Sequence, residues 1–146
     1  MKVKIKKLSE KSILPSYAKE GDAGMDLTAT SIEMDEHGNY SYGVGLAFEI
    51  PEGYVGLLVP RSSNCKKSLL LSNSVGILDS SYRGEVFFKY KPSMVAPSNK
   101  KYNKPYEVGD RIGQIIILPY PYIAFEEVNE LSVTERNESG FGSSGK

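Results

Sequence analysis

Two carboxylates and four arginines carry most of the chemistry open to this 146-residue chain. The first acid, Asp79, stands in NSVGILDSSYRGEV (73–86), with a turn-rich centre at Gly76, Asp79, Ser80 and Ser81. Ile77 and Leu78 lead into it, and Tyr82 follows three residues later. Gly reaches positive φ cheaply, and Asn, Asp and Ser side chains bond their own backbone, so the stretch reads as a hairpin returning into Glu85–Tyr90. It would offer one small ligand backbone donors and acceptors, a base and a flat face; the same residues also serve an ordinary surface hairpin. The second acid, Asp26, lies in a Gly-Met-Asp-Leu strand. Of eighteen Lys and Arg only four are Arg, namely Arg61, Arg83, Arg111 and Arg136, each in a compact Gly- or Ser-containing stretch. Arg is the residue of bidentate carboxylate and phosphate contacts, so the set suggests an anion site. About half of the four are expected in structural ion pairs, Arg83 with Glu85 and Arg111 with Asp110.

Other chemistries lack their parts. One His and one Cys give no His/Cys metal cluster, and Asp26 and Asp79 form no recognisable cation loop. Ser62 and Ser63 have no His nearby to activate them, and His37 and Cys65 read as structural. Gly140-x-Gly142-x-x-Gly145 mimics a dinucleotide fingerprint and the final Gly-Lys a P-loop, but neither has the following helix whose N-terminus would meet phosphate. A flexible tail still offers free amides and hydroxyls, the fork of Arg136 and the face of Phe141.

These residues must be positioned by strands. Period-two alternation marks 2–6 and 25–29, and 40–60 reads as two or three short strands broken at Gly43, Gly45 and the Pro51–Gly53 turn. SSNCKK (62–67) suggests one short helical turn capped by Ser62 or Ser63. GDRIGQIIILPYPYIAFEEV (109–128) is a β-branched run interrupted by Pro119 and Pro121. An all-β barrel or sandwich follows, with a core over 1–128 and a mobile, Gly/Ser-rich tail over 129–146. Net charge is zero, which leaves no bulk electrostatic footprint for nucleic acid or an anionic membrane. No apolar run approaches a membrane span. A single Cys suits a reducing compartment such as the cytoplasm, or the host cytoplasm for a viral protein.

Five stretches in order, AGMDLTA (23–29), PRSSNCKK (60–67), NSVGILDSSYRGEV (73–86), GDRIGQIII (109–117) and RNESGFGSSG (136–145), resemble the five motifs of the homotrimeric dUTP pyrophosphatase (dUTPase) family. The resemblance implies a distorted jelly-roll or β-clip barrel of short strands that hydrolyses dUTP to dUMP and pyrophosphate with magnesium, in active sites shared by three subunits. It implies that Asn73 and the backbone around Gly76 and Leu78 bind uracil, that Tyr82 packs under the deoxyribose, and that Asp79 holds the 3′-hydroxyl and activates water. Arg61, Ser62, Ser63 and Gln114 would meet the phosphates. Arg136, Phe141, Gly142, Ser143 and Ser144 would close from the tail. No protein ligand would hold magnesium directly, Asp26 reaching it through water. Ser63-Asn64 replaces a common Gly, Asn137 and Ser139 stand where Gly is usual, and Gly113 replaces a frequent Ala with little expected effect. The dCTP deaminase branch of the fold would need a Glu where Lys89 stands. A regulatory member that acts on a protein partner, as viral members do, is the alternative from another class.

Overall fold

The computed structural model describes residues 1–93 and 104–140, and within them the regular structure is strands and one 3-10 turn. The strands are β1 (Lys4–Lys7), β2 (Met25–Thr28), β3 (Ser31–Met34), β4 (Tyr40–Gly43), β5 (Leu46–Glu49), β6 (Tyr54–Val59), β7 (Leu69–Leu71), β8 (Gly76–Leu78), β9 (Phe87–Pro92) and β10 (Arg111–Pro119). A 3-10 turn covers Ser62–Lys66. All pairings are antiparallel: a sheet in the order β2-β10-β6-β8, another in the order β3-β4-β9-β7, and the pair β1-β5. The fold is all-β and jelly-roll-like, as the sequence implied.

Alternation explains the packing. Leu27, Leu58, Leu78 and Ile115 point inward from the first sheet, and Tyr42, Phe88 and Tyr90 from the second. The aromatic centre is tightly organised: Tyr42 meets the rings of Tyr90 and Tyr106 edge-on, with centroids 6.1 and 5.9 Å away. Burial pushes the Tyr42 phenol up to about 12, so it stays neutral at any working pH.

Three sequence expectations change. The stretch 73–90 is not one hairpin. β8 crosses to pair with β6, whereas β9 pairs with β4 and β7 in the other sheet. The polar residues mark two turns, at 72–75 and 79–82, and Gly76 lies in the intervening strand, buried, where a Cβ would sit 3.0 Å from that of Leu58. The 3-10 turn is not capped by Ser62 or Ser63; its N-cap is Arg61, in extended conformation. Asn64 fastens the turn instead, donating its side-chain amide to Leu69 O at 2.9 Å and accepting from the Tyr106 hydroxyl at 2.9 Å. Finally, regular pairing ends at Pro119. Beyond the Tyr120 N–H bond to Gly53 O, the chain to residue 140 has no strand, and Tyr122, Phe125, Leu131 and Val133 are more than four-fifths exposed.

Candidate active site

Asp26 organises the basic end of the site. Its Oδ1 accepts from Arg61 Nε at 2.8 Å and Gln114 Nε2 at 3.1 Å, and its Oδ2 accepts from Arg111 Nη1 at 2.9 Å. The carboxylate is 12% exposed, so these bonds replace most of its hydration. One anion among two guanidiniums leaves the group net positive, a charge suited to phosphate. Sequence pairing had offered Asp110 to Arg111. Asp110 instead caps its own turn by accepting from the Glu107 N–H, and Arg111 reaches an acid 85 residues away.

A bulge makes that reach possible. In a regular strand Arg111 and Gln114, three apart, would face opposite sides of the sheet. Gln114 pairs with Asp26 and Gly113 with Leu27, but Arg111 pairs with Thr28, so Ile112 is an extra residue. The inserted residue turns Arg111 onto the face of Asp26 and Gln114. The exposed Ser62 and Ser63 flank this end, with Arg61 Nη1 3.4 Å from the Ser63 hydroxyl.

The acidic turn is built differently. The Tyr82 N–H closes back on Asp79 O at 3.1 Å, and Arg83 Nη1 donates to the carbonyls of Ser80 and Tyr82 at 2.6 and 2.9 Å. These bonds displace the expected Arg83–Glu85 pair; Glu85 Oε1 accepts from the Gly45 N–H. The Tyr82 ring lies where a Cβ on Gly84 would be, and its hydroxyl donates to Glu85 O at 3.1 Å. Gly84 therefore lets the ring lie flat beside the turn. Asp79 itself is exposed. Asn73 is exposed in the preceding turn, its carbonyl accepting from the Val75 N–H across Ser74, whose φ is +62°.

Within one chain the two ends stay apart. Gln114 pairs with Val59 and Leu118 with Val55, and Leu78 pairs with Gly56, so Asp79 follows at the level of Val55. Four residues of extended β6 separate that level from Val59, about 13 Å. Both ends share the outward face of the sheet, and between them lie Leu57, Ile77 and Ile116 in one row, with Val55, Val59 and Leu118 beside it. Ile77 is 62% exposed.

In the described part of the tail, Arg136 Nε donates to Ser139 O at 3.0 Å and the Asn137 N–H to Thr134 Oγ1 at 3.0 Å. Asn137 adopts φ +44°, a left-handed conformation that Asn reaches more easily than most residues, which is how it occupies a Gly position. Phe141, Gly142, Ser143 and Ser144 lie outside the described residues. Lys89, at the place a deaminase would need Glu, is tied to Asp35 at 3.0 Å. Among the described residues no three His, Cys, Asp or Glu side chains form a metal-holding group, and no helix is long and apolar enough to cross a membrane. Arg111 is the site residue that sequence reasoning missed. Its scarcity as an Arg was the available signal, and its partner was not.

A family model described as dUTPase matches residues 10–145. The deoxyuridine 5'-triphosphate nucleotidohydrolase of Wolbachia pipientis is 42% identical, covering 100% of this chain and 97% of its own length. That of Fusobacterium nucleatum is 41% identical over 99% of both chains. Among solved structures, the dUTPase of Staphylococcus bacteriophage 80alpha with dUPNHPP superposes with a TM-score of 0.82 at 29% identity, covering 99% of each chain. It is described among phage dUTPases that control transfer of virulence genes by a proto-oncogenic G protein-like mechanism.

Proposed function

The chain belongs to the dUTPase family, and from that premise we propose how its residues divide the work of hydrolysing dUTP to dUMP. Asp79 takes a proton from water as the water oxygen bonds to the α-phosphorus. The bond from that phosphorus to the bridging oxygen breaks, and pyrophosphate leaves. Arg61 and Gln114, with Ser62 and Ser63, hold the phosphate oxygens on which charge develops, where fixed donors contribute most. Asn73 and the backbone of Gly76 and Leu78 recognise uracil, and Tyr82 packs under the deoxyribose. A pocket wall against the thymine methyl discriminates by roughly 10–200-fold. Arg136, Phe141, Gly142, Ser143 and Ser144 close over the bound nucleotide as a C-terminal arm, 129–146, reaching from a neighbouring subunit.

The observation that carries this reading is the separation of Asp79 from the Asp26 group on one apolar sheet face. A single copy holds a base at one end and the phosphate donors at the other. Packing that face against further copies brings the base of one subunit to the donors of the next, and supports a homotrimer with shared sites. The donor set also fits magnesium held chiefly by the triphosphate, since Asp26 Oδ2, accepting from Arg111, keeps a lone pair to reach it through water. When bound, magnesium neutralises triphosphate charge. The reaction would supply dUMP for dTMP synthesis and keep uracil out of DNA, and the proposed location is the cytoplasm, or a host's cytoplasm.

The test is pyrophosphate release from dUTP, dTTP, dCTP and UTP by wild type and Asp79→Asn. Release from dUTP alone, lost in the variant, is the expected result. Tight binding of a non-hydrolysable dUTP analogue without release would replace the enzyme by a nucleotide-gated regulator acting on a protein partner, the reading favoured by the phage relative's described mechanism.

A further inference from the structure

The bulge that gathers the phosphate end is held from the opposite sheet. Ile112 is its extra residue, and the carbonyl of Ile112 accepts a 2.7 Å hydrogen bond from the hydroxyl of Tyr90 on β9. Tyr90 is fully buried, so the bond is made away from competing water. Its neighbour Phe88 stacks with it, the planes 9° apart, and fills the space that a Cβ on Gly113 would need. The next residue along is Gln114. One pair of β9 aromatics thus grips both the bulge carbonyl and the glycine beside it, and Gly113 is no neutral replacement for Ala.

We propose that Tyr90 is a positioning residue for hydrolysis: by holding the Ile112 carbonyl it fixes the bulge that keeps Arg111 and Gln114 on the face of Asp26, and so sets the triphosphate grip. A regular strand would return Arg111 to the other face and leave Asp26 with Arg61 and Gln114 alone. Burial first, and then the adjacent phenols of Tyr106 and Tyr42, raise the Tyr90 hydroxyl above the ordinary phenol range. It therefore remains a neutral donor throughout the working range. The inference rests on assigning the Asp26 group to the phosphates.

Tyr90→Phe removes the donor and keeps the ring. The expected result is a roughly 10- to 100-fold loss in kcat/KM for dUTP and in affinity for a non-hydrolysable dUTP analogue, with deoxyuridine binding unchanged. Val44→Ala, in the same core but with no hydrogen bond to the bulge carbonyl, is the stability control. Matching losses of Tm in Tyr90→Phe and Val44→Ala, with analogue affinity and turnover retained in both, would overturn the proposal. So would equal loss of deoxyuridine and analogue binding in Tyr90→Phe. Arg61→Ala run beside them separates the two levels: selective loss of analogue there confirms the phosphate assignment, and its absence overturns that assignment and the proposal together. Should Tyr90→Phe not fold, Gly113→Ala perturbs the same bulge through Phe88 and must show the same selective loss; full analogue affinity in it overturns the proposal.

Discussion

The two ends of the outward sheet face solve opposite problems. At the basic end, Asp26 has its donors in place before any ligand arrives, at 2.8–3.1 Å and largely out of water. At the acidic end, Asp79 stands exposed on a turn secured by main-chain bonds and Arg83. Two arginines repel each other, and a carboxylate between them makes their closeness stable as well as useful. A base has no such need, only a rigid mount and an open approach. The contrast teaches that mutations at the first end should alter folding and phosphate binding together, and those at the second should alter chemistry alone.

The sharpest way to break this contrast is Asp79→Asn. Loss of the proposed base should lower kcat by roughly 10²–10⁴, with Tm and analogue affinity near wild type, measured by steady-state kinetics and calorimetry. A parallel loss of stability would mean that the acidic end is as structural as the basic one. Ile77→Lys tests whether the ends need different copies. Charge on the 62%-exposed centre of the face should yield monomers by sedimentation, with little loss of fold and activity that returns only at high protein concentration. Asp26→Ala tests the basic end. Leaving two arginines without their acceptor should cost about 1–3 kcal/mol in urea unfolding and weaken the dUTP analogue while sparing deoxyuridine.

The smallest effect concerns pH. Asp35 accepts from the backbone N–H of Asn39, from its side-chain amide, from Lys89 and from the His37 N–H, and these hold its carboxyl well below the ordinary 3.8. A depressed carboxylate stabilises the fold above its unfolded value and loses that contribution as pH falls towards the native one. The Tm gap between wild type and Asp35→Asn should therefore be widest near neutrality and shrink below about pH 4.

Much of this arrangement was legible in the sequence because strand alternation and turn chemistry are local. Period two marked β1 and β2, the breaks at Gly43, Gly45 and Pro51–Gly53 divided 40–60 into β4, β5 and β6, and the acid three residues before Tyr82 proved to form one closed turn with it. What escaped was long-range. The residues from Gly76 to Ser81 look like the centre of one hairpin until β8 is known to pair with β6 and not with β9. Arg111 has a ready acid beside it in Asp110, and only a one-residue bulge, invisible to periodicity, sends it to Asp26. Gly113 looked exchangeable for Ala because its neighbour Phe88 comes from another sheet. Ser62 and Ser63 looked like caps because capping is their commonest local use, yet Asn64 and Tyr106 secure that turn.

The small turn around Asn137 bears on turnover. Arg136 already spends its Nε–H on the carbonyl of Ser139, and Asn137 sits in a left-handed conformation to allow it. For that guanidinium to grasp a phosphate with the same N–H is an exchange of partners, not a net gain of one. On the proposed closing role of the tail, the bond surrendered to Ser139 offsets part of what the phosphate contact contributes, and so favours release once the phosphate has left.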